Sequence, residues 1–354
     1  MTVITKKLFG KTADGRTVYA FTLKDGEQYA TVLDYGGIIA ELVVLNKDGG
    51  LTDVLYGYDD VAGYENNGGY LNALIGRFGN RIDKGSLTID GKTYSLYLND
   101  RGNHLHGGKV GFDKKTWAAE IVKDEQGNER LSLSILSPDG EENYPGNLKV
   151  TVVYSFEKGK FGIEYTAVSD KKTTINLTNH AYFNLDGGDS ILTHELYLDA
   201  PYYTPTDAEL IPHGEIRSVK GTPFDFTTAV KVGVGDAKRE EDVDLKYGGG
   251  FDHCFVFEKG RDVSKPYGVL YSEKSGIEMK CYTDMPAVQL YAGNGLNQVG
   301  KKGQKYGRCG ALCLETQAIP NNVNVPEYAA YGSSIYDAGE VYHFSAVYEF
   351  SVRK

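Results

Sequence analysis

The stretch Ile175-Asn176-Leu177-Thr178-Asn179-His180-Ala181-Tyr182-Phe183-Asn184-Leu185, laid out as a pleated strand, sorts its side chains onto two faces of opposite character. Successive strand residues face opposite sides of a sheet. Ile175, Leu177, Ala181, Phe183 and Leu185 therefore point one way, and Asn176, Thr178, His180, Tyr182 and Asn184 the other. An ordinary solvent face carries Lys, Glu and Thr. Here the polar side is a row of uncharged donors and acceptors around one histidine, which suits a neutral ligand covered in hydroxyl groups, such as a saccharide.

Outward from this stretch the chain is punctuated as strands and turns. Ser86 to Ile89 and residues 92–98 flank Asp90-Gly91, the dipeptide that a primed two-residue hairpin turn prefers. Residues 149–156 and 161–169 flank Glu157-Lys158-Gly159-Lys160, while Ser137-Pro138-Asp139-Gly140 and Tyr144-Pro145-Gly146 mark further reversals. Helical periodicity never extends beyond about two turns, and residues 59–64 form at most a short helix. The 44 glycines and 27 tyrosines, against one Trp and three Met, are the vocabulary of turns and strands. Neither a fixed-period repeat nor a low-complexity linker divides the 354 residues. The expectation is an all-β fold, a large antiparallel β-sandwich, with residues 1–354 as a single domain.

The formal net charge of −10 comes from interspersed acids and bases, which argues against a nucleic-acid or anionic-membrane partner. The N-terminus lacks an apolar run of signal-peptide length, and no run of ~18 apolar residues occurs anywhere, so a cytoplasmic protein is expected. Cys254, Cys281, Cys309 and Cys313 sit in apolar stretches without CxxC spacing and read as reduced, buried thiols. Asn176-Leu177-Thr178 matches a glycosylation acceptor, which carries no meaning without secretion.

Several residues carry candidate chemistry. In Asn103-His104-Leu105-His106-Gly107-Gly108 the two histidines share one face if the segment is extended, which invites a metal reading. Residues 107–111 supply no carboxylate to complete such a site, so no metal is expected; one histidine capping the glycine turn is the alternative. Glu315 follows Gly310-Ala311-Leu312-Cys313-Leu314, and a carboxylate on so apolar a strand is partly desolvated and a better base, unless it leaves the core at the strand end. Asp252, before His253 and after Gly248-Gly249-Gly250, is either a ligand-binding carboxylate or an Asx-turn. Arg77 and Arg81, four apart in Gly76-Arg77-Phe78-Gly79-Asn80-Arg81, would ordinarily be solvated. Nucleophile elbow, phosphate loop and dinucleotide fingerprint are all missing from the sequence, so the inventory points to proton transfer without a cofactor.

Six segments, in order, resemble signatures of the aldose 1-epimerase, or galactose mutarotase, family. They are Gly76 to Ile82, Leu105-His106-Gly107-Gly108 with Gly111-Phe112-Asp113-Lys114, Asn176 to Leu185, Phe251-Asp252-His253, Val288 to Asn294, and Glu315-Thr316-Gln317 with Pro320-Asn321. The resemblance runs from about residue 30 to the C-terminus and implies a large β-sandwich. It also implies Glu315 as general base, His180 as general acid and His106 as a second active-site histidine, with Asn80, Arg81, Asp252 and Gln289 holding the sugar. Gly79 stands where many relatives have alanine, and Cys254 follows the Asp-His pair; neither touches a group that must move a proton.

Anomer interconversion needs two groups of opposite protonation state. One removes the C1 hydroxyl proton while the other protonates the ring oxygen, giving an open aldehyde that rotates about C1–C2 and recloses. A pH profile falling on both sides of a near-neutral optimum is the expectation from residue type alone. Two alternatives share the fold. A hexose-6-phosphate 1-epimerase would want two or more Arg or Lys at the far end of the pocket, where the match supplies only Arg81 beside Asp252. A non-catalytic sugar-binding protein would need no matched acid and base.

Overall fold

Alternation of apolar and polar residues along the strands builds the architecture. In Leu148–Glu157 the side chains of Leu148, Val150, Val152, Tyr154 and Phe156 are buried, and in the next strand, Lys160–Ser169, those of Phe161, Ile163, Tyr165 and Ala167. Such a period-two pattern places one face of each strand against a core. The structure, a computed structural model, describes residues 2–66 and 68–353; Met1, Asn67 and Lys354 lie outside the described residues, among them both ends of the expected 1–354 domain.

Three antiparallel sheets dominate. A nine-stranded sheet runs Ala118–Lys123, Glu129–Ser137, Leu148–Glu157, Lys160–Ser169, Val341–Val352, Ile277–Thr283, Gly268–Tyr271, Glu195–Leu198 and Val230–Lys231. The five strands from Val3–Lys11 to Leu51–Asp53 form a second sheet, joined in sequence order. The third contains Arg217–Ser218, Tyr202–Tyr203, Asp252–Val256, Ala287–Tyr291 and Cys313–Gln317. One apolar cluster joins all three, with Phe21, Leu23 and Val32 from the second sheet, Val150, Val152 and Ile163 from the first, and Leu290 and Leu314 from the third. The all-β sandwich expectation holds. All four cysteines are free and buried. The longest α-helix among the described residues, Val243–Gly248, has six residues, and no helix is long and apolar enough to cross a membrane.

The expected hairpins form, one of them more tightly. Asp90 and Gly91 take positive φ between Ser86–Ile89 and Lys92–Ser95. Glu157 and Lys160 pair as the last cross-strand partners, so the turn between residues 148–157 and 160–169 is Lys158-Gly159 alone, with φ of +52° and +74°. The short helix is Val61–Glu65, capped by the Asp60 carboxylate, which accepts from the Gly63 N–H.

Residues 175–185 depart from the expected single strand. The segment changes partners as it goes: Asn176 bridges Phe78, Thr178–Asn179 pairs with Leu74–Ile75, and Phe183 bridges both Leu55 and Leu312. Both of its faces are buried. Buried amides must find partners. Asn176 donates to the Gly79 carbonyl and accepts from the Ala318 N–H, and Asn184 donates to the Gly188 and Gly310 carbonyls. Much of the polar face therefore stitches loops together, and only His180 and Tyr182 reach the cavity described below.

Arg77 is not solvated either. Its side chain is 2% exposed and donates to the Ser137 hydroxyl and to the Ser137, Pro138 and Pro145 carbonyls, tying the 76–82 segment to the end of the long sheet. Replacing Arg77 with methionine keeps the length and strands these acceptors, so a loss of roughly 3 kcal/mol or more in unfolding free energy is expected. Urea unfolding checks this, and a midpoint equal to that of the parent protein contradicts it.

Candidate active site

The third sheet delivers the acids. Cross-strand partners share a face, so the rows Asp252, Tyr291, Cys313 and Cys254, Gln289, Glu315 lie on one side, opposite the core-facing Leu290 and Leu314. Glu315 sits in the middle of Cys313–Gln317 and is 2% exposed, so it does not leave the core at a strand end. Residues 175–185 run along that edge strand: Phe183 and Leu312 exchange backbone bonds beyond one end, and the Asn176 amide takes the Ala318 N–H beyond the other. His180 is thereby placed with its Nε2 3.7 Å from Glu315 Oε1.

His106 arrives from a sharp turn. His106, Gly107 and Gly108 all have positive φ, and Gly107 packs so closely on the chain at Gly76 that a Cβ would lie 1.9 Å from the Gly76 carbonyl oxygen. The turn separates the two histidines that an extended chain would have aligned. His104 points into the protein, with Nδ1 on the Tyr97 carbonyl and Nε2 on the Tyr144 hydroxyl, and burial pushes its pKa down to about 4. It is the structural histidine of the pair. His106 instead receives the Asn80 N–H at Nδ1, 3.1 Å away, and returns its own N–H to the Asn80 carbonyl. A backbone N–H only donates, so Nδ1 must keep its lone pair and the ring's proton lies on Nε2.

These groups meet in a cavity of about 420 Å³ whose wall includes Asn80, Arg81, His106, His180, Asp252 and Glu315. Gln289 stands behind that wall, donating to Asp252 Oδ1 at 2.7 Å. Asp252 begins its strand and forms no Asx-turn; its other oxygen lies 4.0 Å from Arg81, whose Nε donates to Asp100 at 2.8 Å. The His180 ring lies nearly parallel to those of Tyr70 and Tyr182, with centroids 6.1 and 5.0 Å away, and His106 meets Tyr70 edge-on. Glu315 Oε2, Gln289 Oε1 and His180 Nδ1 are buried without a hydrogen-bond partner among the described residues.

Burial governs the electrostatics. It pushes Glu315 well above the usual carboxylate range, helped by the Asp252 charge and opposed by Arg81. Burial drives His180 down to about 3. His106 also falls well below the ordinary histidine value, through burial first and then the neighbouring His180 and Arg81. Asp252 rises through burial, with Arg81 and Gln289 opposing. His106, His180 and Glu315 each bring a ligand-type atom within 4.8 Å of the others, a spacing that fits a cation and equally fits acid-base groups flanking one hemiacetal.

Sequence reasoning missed part of the wall. Tyr70, Arg101, Leu210, Lys246 and Tyr247 line the cavity from loops and a short helix outside the matched segments. Tyr70, Arg101 and Leu210 have positive φ, which no periodicity reveals in residues of these types.

The aldose 1-epimerase family model matches residues 19–349. Galactose mutarotase of Bos taurus is 37% identical over 357 residues, covering 99% of this chain and 100% of that one. Aldose 1-epimerase of Escherichia coli K12 is 34% identical over 319 residues, covering 89% and 90%. Galactose 1-epimerase from Lactobacillus acidophilus NCFM superposes with a TM-score of 0.87 at 27% identity, covering 100% of both chains. With this match along nearly the whole sequence, laid over a buried acid and imidazole in one cavity, the chain belongs to the aldose 1-epimerase family.

Proposed function

We propose that this chain is a cofactor-independent isomerase that interconverts the α and β anomers of a free aldohexose, galactose or glucose. The observation that carries the reading is the Glu315 and His180 pair, buried 3.7 Å apart in a cavity walled in part by Tyr70, Tyr182 and Tyr291. Glu315 takes the C1 hydroxyl proton, His180 gives a proton to the ring oxygen, and reclosure on the other face of the aldehyde reverses both transfers. Arg81, Asp252 and Asn80 hold the hydroxyls. Gln289 acts through Asp252, fixing the carboxylate that it touches.

The pair needs one mobile proton and one open lone pair. Carboxylate with imidazolium and carboxylic acid with imidazole are two arrangements of that same single proton. Burial of both groups favours the uncharged arrangement before sugar enters, and hydroxyl donors reaching Glu315 favour the charged one. His106 has a different part. Its Nδ1 is committed to Asn80, so it works as a neutral Nε2–H donor toward the developing negative charge.

Each acid-base partner contributes ~10²- to 10⁴-fold. Glu315→Gln and His180→Asn are each expected to nearly abolish accelerated mutarotation of fresh α-galactose in polarimetry, whereas Asp252→Asn raises KM. Near-normal turnover in Glu315→Gln, with kcat lost in Asp252→Asn, reverses the roles. The pH profile follows from proton counting. Activity fails at low pH when the pair gains a second proton, which the lowered His180 value puts near pH 3 rather than near neutrality. At high pH it fails when the pair loses its last proton, which the raised Glu315 delays. In kcat/KM the expectation is a plateau through pH 5 to 8, broader than residue type alone implies. A sharp optimum with an acid limb near 6.5 contradicts it. Nitrogen-15 spectra of the His106 ring are expected to report a protonated Nε2 and a bare Nδ1 across the same range; an imidazolium signature at pH 6 removes the donor role.

A further inference from the structure

Three reactive groups converge on one small volume. His106, His180 and Glu315 bring two ring nitrogens and a carboxylate oxygen within 4.8 Å of one another, so all three reach the substituents of a single carbon atom. Their states differ. Glu315 Oε1 faces His180 at 3.7 Å, while Oε2 is buried without a hydrogen-bond partner among the described residues and keeps its lone pairs open. His106 presents an N–H, because the Asn80 N–H holds the ring proton on Nε2. A base, an acid that shares its proton and a neutral donor are also the groups that attack of water on a carbonyl carbon requires. Water has a way in: Arg101, Lys246 and Tyr247, all exposed, line the cavity.

We infer that this site also hydrolyses 1,5-lactones of aldonic acids, the compounds that an aldohexose becomes on oxidation at C1. The inference rests on the aldose 1-epimerase reading. An epimerase must accept the C1 oxygen on either face of the ring, because its substrate and product differ only there. The adduct of water with a lactone carries an oxygen on both faces at once, and so fills two positions the site already accommodates. A lactone is also trigonal at C1 with its ring oxygen still attached, which resembles the half-opened ring. The step balances. Glu315 takes a proton from water as the water oxygen bonds to C1, and the carbonyl electron pair moves onto the C1 oxygen, toward the His106 N–H. Collapse restores the carbonyl and breaks the bond from C1 to the ring oxygen, which leaves with the His180 proton as the C5 hydroxyl. The pair begins as carboxylate with imidazolium and ends as carboxylic acid with imidazole, the two arrangements of one proton already described. Return of that proton across the 3.7 Å between them resets the site, and the aldonic acid released gives up its own proton to solvent.

Titration of released acid at constant pH tests this on the intact chain, with fresh 1,5-lactone of gluconic or galactonic acid, matched to whichever hexose the chain epimerises faster. The expected kcat is about 10³- to 10⁵-fold above the first-order rate constant in buffer. The matching hexose is expected to inhibit acid release competitively, with an inhibition constant within about threefold of its KM in mutarotation. That measurement ties the hydrolysis to this cavity without any variant. Glu315→Gln, purified in the same way, is expected to return acid release to the buffer rate. A lactone that inhibits mutarotation competitively while acid appears only at the buffer rate overturns the inference and leaves the epimerase reading intact. So does acid release that the hexose fails to inhibit, or that persists undiminished in Glu315→Gln, because the hydrolysis then belongs to another site. No acceleration of mutarotation for glucose or galactose removes both this inference and the reading on which it rests.

Discussion

Desolvation of the Glu315 carboxyl group is the constraint on which the rest of the site depends. An ionised carboxylate inside a protein is costly unless it is paired, and a neutral one is a poor base. The structure answers with a neighbour that can hold the same proton: His180, itself buried, 3.7 Å away. Asp252 raises Glu315 further, and Arg81 tempers both acids. The local charge therefore changes little when the proton moves from one partner to the other. Burial alone leaves that proton on Glu315, so the sugar's hydroxyl donors must stabilise the carboxylate before His180 holds it.

The strand bearing Glu315 lies at the edge of its sheet, and an edge strand leaves backbone groups to be satisfied. Residues 175–185 flank it, exchanging backbone bonds with Leu312 just before the strand and taking the Ala318 N–H just after it, while also carrying His180. Between those two anchors the segment also pairs with Phe78, Leu74–Ile75 and Leu55, which is why it is broken into short bridges instead of running as one strand. The irregularity and the catalytic placement have the same cause.

This explains what was legible in the sequence. Hairpins such as Ser86–Ile89 with Lys92–Ser95 were readable because turn residues and period-two alternation are local signals. Glu315 was readable as a candidate because a lone ionisable group after an apolar run is conspicuous, and His180 because it stands alone among uncharged donors and acceptors on one strand face. Burial of Arg77, the divergence of His104 from His106, and the spending of Asn176 and Asn184 on loops were not readable. Each depends on which carbonyls happen to be nearby after folding: those of Ser137 and Pro145 for Arg77, Tyr97 for His104, Gly79 for Asn176 and Gly310 for Asn184. Backbone sign is equally silent. Five of the fourteen non-glycine residues with positive φ among the described residues, Tyr70, Asn80, Arg101, His106 and Leu210, line the catalytic cavity. Left-handed backbone in Tyr, Arg, His or Leu costs on the order of 1 kcal/mol or more each and persists only where surrounding contacts over-determine it.

Asn80 illustrates how those contacts do so. Its N–H fixes the His106 tautomer, its carbonyl accepts the His106 N–H, and its side-chain oxygen accepts the Arg81 N–H at 2.8 Å. One residue thus sets the proton position on a ring and the start of the strand that carries the guanidinium facing Asp252. The glycine before it belongs to the same arrangement: a Cβ at Gly79 would lie 3.0 Å from Thr178 Cγ2 and 3.2 Å from the Asn176 carbonyl oxygen. Both of those neighbours are in the segment that holds His180. The alanine that many relatives carry here would need these neighbours to give by only a few tenths of an ångström. The two halves of the site therefore meet along this close backbone approach, even though position 79 touches none of the groups that transfer a proton.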